Sequence, residues 1–185
     1  MVLILNLGCG EDDYGDIRVD LYPSKTTTHV FDIEKGLPKE WSNRFDIVYS
    51  KNLFEHLRNP GFVLEEMKRV CKPGGKIIII TDNAGFYEFH IFGTHVLPKL
   101  KLKRLSFYKG RGNLDTHYCL FTKQHLVNHF KRINLKIESI EYLPFPKNEE
   151  LGKFRPIFNL ICRFLAFTKI FENLAYPRIK IVGRK

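Results

Sequence analysis

The chain has 185 residues, 44% of them hydrophobic and 27% charged, and this composition predicts one soluble domain with an apolar core. Its four cysteines include no CxxC pair, which argues against a disulfide framework and favours a reducing, cytoplasmic setting. No basic leader precedes the first apolar run, so no signal peptide is expected. Residues 1–50 hold 5 Lys/Arg against 9 Asp/Glu, whereas residues 51–185 hold 25 against 11, so we expect two surfaces that face different partners.

Predicted strands and helices alternate along the first half of the chain. Short apolar runs predict strands at residues 2–8, 16–22, 28–33, 45–50 and 76–83. Before the last strand, apolar residues recur at helical spacing until the sequence KPGG ends the pattern; they are Val63, Leu64, Met67, Val70 and Cys71. This alternation predicts a parallel α/β sheet.

The second half of the chain is less regular. Residues 84–121 show no sustained period and are interpreted as an inserted substrate or lid region. Thr122 is a plausible N-cap for a helix that ends near residue 132. A strand at 135–143, a strongly apolar helix at about 156–175 and a closing strand at 178–185 are then predicted.

The stretch LNLGCGEDD, residues 5–13, combines a glycine turn with three carboxylates. Gly8 and Gly10 would let the backbone approach a ligand closely at the end of the first strand. Carboxylates at positions 11, 12 and 13 would repel a phosphate, which disfavours a nicotinamide dinucleotide. A positively charged nucleoside without phosphate, such as S-adenosylmethionine, satisfies both features.

Five blocks of the chain resemble, in order and spacing, the class I S-adenosylmethionine-dependent methyltransferases. These blocks are LNLGCG, VDL, FDIEKGLP, FDIVYSKNLFEHL and LEEMKRVCKPGGKIIIITDN. The resemblance implies a Rossmann-like sheet, mostly parallel with an antiparallel closing strand and with helices on both faces. It also implies S-adenosylmethionine as cofactor and S-adenosylhomocysteine as product. A single domain, 1–185, would then contain a cofactor-binding half at 1–83, the inserted region at 84–121, and C-terminal helices and closing strands at 122–185.

The resemblance also assigns roles to residues at the strand ends. Asp20 would hold the ribose hydroxyls, Asp32 would face the adenine amino group, and the loop after the fourth strand would pass the methionine part. The implied cofactor-binding residues are Leu7, Gly8, Cys9, Gly10, Asp20, Leu21, Asp32, Ile33, Ser50 and Asn52. Turn or cap formation is the alternative for both aspartates, and Cys9 is interpreted as a small buried filler. Only nine residues separate Gly10 from Asp20, so the first helix is expected to be shortened or replaced by a loop.

No catalytic residue is assigned, and the candidates are His56, His117 and Tyr118. In the resembled family the residues at FEHL mostly anchor the loop, while His117 and Tyr118 could face the active site. His90 and His95 have no carboxylate partner at metal-binding spacing, so no metal site is predicted.

The acceptor is expected to be small, anionic, lipid-linked or a glycan, because residues 99–111 carry six Lys/Arg and no acid lies between Glu88 and Asp115. A solvated loop is the alternative, and nucleic acid is the less favoured partner. The apolar helix at about 156–175 could pack on the sheet, form a dimer contact or rest on a membrane surface, which would make a cytoplasmic protein peripheral to the membrane. The alternative function is a non-catalytic protein that uses its basic half to hold nucleic acid or membrane.

Overall fold

The computed structural model describes residues 1–86, 117–144, 160, 164, 167 and 171–185. The strands are β1 (Ile4–Leu7), β2 (Ile17–Asp20), β3 (His29–Val30), β4 (Phe45–Lys51), β5 (Cys71–Asp82), β6 (Lys136–Leu143) and β7 (Arg178–Arg184). The α-helices within the described ranges are α1 (Pro60–Val70), α2 (Lys123–Arg132) and α3 (Glu172–Ala175). Residues 99–111, His90 and His95 lie outside the described residues, as do most of the region 84–121 and most of residues 156–170.

The seven strands form one sheet in the order β3-β2-β1-β4-β5-β7-β6. Strands β1 to β5 pair in parallel, whereas β7 runs antiparallel to both β5 and β6. The prediction of a mostly parallel sheet with an antiparallel closing strand is thus confirmed. The strand order reverses between β1 and β4, and in such sheets a ligand binds at the carboxyl ends of the strands beside that reversal.

The connection between β1 and β2 contains no helix, as the short spacing predicted. Parallel strands usually need a crossover of a dozen or more residues, so this shorter loop requires its own anchors. The backbone amides of Gly8 and Cys9 both donate to the Val19 carbonyl, at 2.8 and 3.1 Å. At the other end of the loop, the Asp16 carboxylate accepts from the Ile4 amide at 2.8 Å. These bonds hold the glycine turn against the end of β2.

Helix α1 follows directly from its sequence. Asn59 caps it by accepting from the Phe62 amide, Pro60 occupies the first turn, and the predicted apolar side points inward; its buried residues are Val63, Leu64, Met67 and Val70. The helix ends before KPGG, as predicted, and these residues lie in a strand, because β5 begins at Cys71 and pairs with Phe45 before an irregularity. Gly75 lies there with no room for a side chain, since a Cβ would come 2.9 Å from the Asp46 carbonyl oxygen.

Helix α2 begins at the predicted cap. The Thr122 hydroxyl accepts from the His125 amide at 3.2 Å, and the His125 ring accepts from the Thr122 amide in return. Its Phe130 packs over Gly183 of β7, where a Cβ would lie 2.7 Å from the ring. Buried side chains of α1 and α2 belong to one core cluster with the central strands, and this cluster supports the carboxyl edge of the sheet.

Strand β3 is shorter than predicted, because its partner pairing ends at Val30. The chain then turns, and the Asp32 carboxylate accepts from the Glu34 amide at 3.0 Å to cap a 3-10 helix, Ile33–Lys35. No helix within the described ranges is long and apolar enough to cross a bilayer.

Candidate active site

The glycine turn after β1 leaves open space for a ligand. Gly8 and Gly10 have φ values of +68° and +53°, which side-chain-bearing residues rarely adopt. A Cβ on Gly8 would lie 2.8 Å from Leu53 Cδ1, so Gly8 also allows the loop after β4 to pack on the turn. A Cβ on Gly10 would meet no atom within 4 Å. The backbone at Gly10 therefore borders a space that a ligand can enter.

Asp20 is held at the end of β2 with its carboxylate oriented. One oxygen accepts from the Gly10 amide at 2.8 Å and the other from the Tyr22 amide at 3.0 Å. A carboxylate has about four acceptor positions, so these two bonds leave capacity for a pair of hydroxyls. Leu21 beside it is 53% exposed, which provides an apolar surface for a flat ring. These features fit the ribose and adenine of the cofactor that the sequence implies.

A second set of contacts to the turn could not be read from the motifs. The Ser24 hydroxyl donates to the Gly10 carbonyl at 2.5 Å and shares a hydrogen bond of 2.8 Å with Thr27. Thr27 in turn lies 3.6 Å from the Cys9 sulfur. Burial raises the pKa of the Cys9 thiol, so it stays protonated and acts as a small filler.

The remaining predicted cofactor residues lie along the same edge of the sheet. Asp32 caps its 3-10 helix and borders an open groove of about 520 Å³, while the Ile33 side chain is buried beneath it. Asn52 adopts a left-handed conformation, φ +53°, directly after β4. Ser50 is fully buried, and its hydroxyl has no hydrogen-bond partner in the described part of the chain. Any contact of Ser50 with a cofactor would thus involve its backbone.

The structure brings two of the three catalytic candidates together with a residue that the motifs did not single out. His56 and His117 lie with their ring centroids 4.7 Å apart. The His117 Nε2 atom is 3.9 Å from Oδ2 of Asp82, whose side chain is only 5% exposed at the end of β5. The Tyr118 amide donates to the Glu55 carbonyl at 2.8 Å, which ties this segment to the loop after β4. An Asp–His pair with a second imidazole can accept a proton from a bound acceptor.

The third candidate, Tyr118, has a different environment. Its side chain is 59% exposed and accepts a hydrogen bond of 3.4 Å from Arg58, whose guanidinium carbon is 5.4 Å from the ring centroid.

Asp82 lies opposite a buried cation, because Arg178 occupies the paired position of β7. The polar sequence TDN at the end of a buried strand was the available signal for Asp82, since strand ends carry ligand contacts.

Glu55 is a buried carboxyl next to the cluster of His56, His117 and Asp82. It is 1% exposed and accepts a hydrogen bond of 2.7 Å from the Thr81 hydroxyl. Burial is the largest influence on this carboxyl, and it raises the pKa above its ordinary value. Ionisation of Glu55 therefore costs stability in the folded protein.

We expect Glu55→Gln to flatten the dependence of the melting temperature on pH. A raised folded-state pKa contributes stability below the ordinary carboxyl pKa and loses it as the pH rises through the raised value. Glutamine keeps an acceptor for Thr81 but cannot ionise, so the variant should gain stability relative to the wild type as the pH rises above the ordinary carboxyl range. Thermal melts from acidic to neutral pH measure the effect, with the exposed Glu65→Gln as the control. An equal pH dependence in the Glu55 variant and the wild type would contradict the prediction.

Within residues 1–86, 117–144 and 171–185, no three His, Cys, Asp or Glu side chains lie close enough together to hold a metal ion.

Among known families, the model of the methyltransferase domain matches residues 4–140 of the chain. The ubiquinone biosynthesis O-methyltransferase of Dechloromonas aromatica is 29% identical over 124 residues, which cover 63% of this chain and 49% of that protein. The corresponding protein of Pseudomonas fluorescens SBW25 is 32% identical over 68 residues, 36% of this chain and 29% of that one. The chain thus spans about half or less of the length of these curated relatives.

Solved structures share the fold at low sequence identity. A SAM-dependent methyltransferase from Archaeoglobus fulgidus superposes with a TM-score of 0.63 at 17% identity, covering 100% of this chain and 86% of that chain. Phosphoethanolamine N-methyltransferase 2 of Haemonchus contortus, in complex with S-adenosyl-L-methionine, gives 0.56 at 14% identity, covering 100% of this chain and 49% of that chain. The sheet order and the family match agree, and the chain belongs to the S-adenosylmethionine-dependent methyltransferases, enzymes whose cofactor is S-adenosylmethionine.

Proposed function

We propose that this methyltransferase acts on a hydroxyl oxygen and that His117 takes the proton which the hydroxyl loses. The observation that carries the proposal is the pairing of His117 with the buried Asp82 at the carboxyl edge of the sheet. The loop after β4, whose His56 contacts His117, also packs on Gly8, which relates this pair to the glycine turn. The curated relatives are named as O-methyltransferases, and this supports the same choice of acceptor atom.

S-adenosylmethionine, when bound, supplies a methyl group that a positively charged sulfur already activates. The chain has to align the acceptor and remove its proton. As the acceptor oxygen bonds to the methyl carbon and the carbon–sulfur bond breaks, the hydroxyl proton moves to the imidazole of His117. The Asp82 carboxylate, 3.9 Å away, then stabilises the imidazolium, and His56 packs on the ring and limits its orientation.

The acceptor molecule that we propose is small and anionic, lipid-linked or a glycan. The support is the excess of Lys/Arg in residues 51–185, which attracts negative charge to the part of the chain that follows β4. Nucleic acid is less favoured, because the cations of KLKLKRL alternate with leucines rather than forming a continuous basic run. The alternative of a non-catalytic binding protein gains no support from the family match.

Methyl-labelled S-adenosylmethionine and a panel of acceptors of similar size test the proposed atom. We expect label to transfer to phenolic or other hydroxyl acceptors, because the proposed base is placed to take a hydroxyl proton. Amines and carboxylates of matching skeleton serve as controls. A higher kcat/KM on the amine or the carboxylate would overturn the hydroxyl assignment while leaving the methyltransferase activity itself in place.

A further inference from the structure

Four large apolar side chains are exposed in the C-terminal part of the chain. Leu160, Phe164, Phe167 and Phe171 are 69%, 70%, 87% and 46% exposed, and we call them the apolar stripe. Residues 160, 164 and 167 are helical, and their spacings of four and three residues are those of one helix face, whereas Phe171 lies in the turn before α3. On an ideal helix positions 160, 164 and 167 span an arc of about 60°. Exposed apolar side chains grouped in this way mark a surface that a partner covers.

The stripe ends beside the proposed active site. Phe171 directly precedes α3, which is tied to the residues after β5 because the Asn83 side chain donates to the carbonyls of Asn173 and Tyr176, each at 2.7 Å. Asn83 follows Asp82, the partner of His117. A partner that covers the stripe would therefore lie next to the carboxyl edge of the sheet.

The charge of the same segment favours a lipid surface over a second copy of the chain. Residues 151–171 contain four Lys/Arg and no Asp/Glu, with Glu149, Glu150 and Glu172 at the borders, and the whole chain has a net charge of +10. A second copy of the chain would bring the same positive charge to the contact and would be repelled. An anionic lipid surface offers both negative headgroups for the cations and an apolar layer for leucine and phenylalanine.

We propose that the apolar stripe inserts into the interfacial layer of an anionic lipid bilayer and attaches the enzyme to the membrane surface without spanning it. Attachment through the stripe turns the edge that carries His117 and Asp82 towards the lipid. An acceptor held in the membrane could then reach this edge from the bilayer. The inference concerns a surface and holds whichever atom is methylated.

Vesicle sedimentation with the full chain tests the attachment. Vesicles of phosphatidylcholine alone are compared with vesicles that also contain phosphatidylglycerol. We expect binding to the anionic vesicles, weaker binding to the neutral ones and a decrease with added salt. The double variant Phe164→Gln and Phe167→Gln should lower the partition coefficient at least about tenfold, because two large apolar side chains no longer enter the interface.

The control variant is Val2→Gln, which changes another exposed apolar residue, 57% exposed, outside the stripe. Both variants should keep the melting temperature of the wild type, since the altered side chains are exposed. Failure of the wild type to bind anionic vesicles would overturn the proposal, as would equal binding by the double variant. Sedimentation that shows a dimer which the double variant dissociates would identify a second copy as the occupant instead.

Discussion

Replacing His117 by alanine is expected to lower kcat on a hydroxyl acceptor by about a hundred- to ten-thousandfold. A positioned general base contributes about that factor, and the imidazole of His117 faces the Asp82 carboxylate at 3.9 Å. The affinity for S-adenosylhomocysteine, measured by calorimetry, should stay unchanged, because His117 is not one of the predicted cofactor contacts.

His29→Ala is the matched control, since this histidine lies exposed on edge strand β3 and away from the proposed proton transfer. Asp82→Asn tests the positioning role separately. It should lower kcat about tenfold while leaving KM for the acceptor nearly constant, because the imidazolium loses its counter-charge. A His117→Ala enzyme that retains wild-type kcat at all pH values would show that methyl transfer here proceeds without this base.

Asp20→Ala is expected to weaken the binding of S-adenosylhomocysteine by about ten- to a hundredfold. A hydrogen bond to a charged group contributes about 1.5–3 kcal/mol, and each factor of ten corresponds to about 1.4 kcal/mol. The substitution also removes the acceptor of the Gly10 amide, so the glycine turn loses one anchor. Isothermal calorimetry of wild type and variant measures the change.

Glu65→Ala provides the control for Asp20, since it removes one negative charge from the exposed side of α1 without touching the contacts at the end of β2. Its affinity should remain within about twofold of the wild type, because an exposed charge contributes little. Asp20→Asn should retain part of the affinity through its amide oxygen. If Asp20→Ala binds S-adenosylhomocysteine as tightly as the wild type, the ribose lies elsewhere.

Local patterns in the sequence were sufficient for most elements of the fold. Asn59 and Pro60 start α1, Thr122 starts α2, and each helix buries the apolar side that its spacing predicts. Local patterns also indicated that no full helix could fit between Gly10 and Asp20. Such features depend on neighbouring residues alone, through caps, turns and periodicity, and a single sequence contains that information.

Ser50 shows where a motif was less informative than strand geometry. The resemblance assigns the residue to cofactor binding, but its register partner is the core residue Leu7, and its side chain points the same way. Side chains two residues apart in a strand point to the same face, so Val48 and Ser50 share one face of β4. The sequence FDIVYS therefore already indicated that the Ser50 hydroxyl is buried. The assignment of the cofactor contact itself stays a prediction.

The sequence by itself predicted the class of cofactor, since Gly8, Gly10 and the carboxylates that follow are adjacent in the chain and would act on a ligand through local sterics and charge. Only the tertiary structure shows which residues surround the proposed proton transfer. Asp82 ends one strand, His56 follows another, and His117 comes after a long intervening segment. These residues meet because parallel strands bring their carboxyl ends to one edge, and pairing between distant segments leaves no local signal in the sequence.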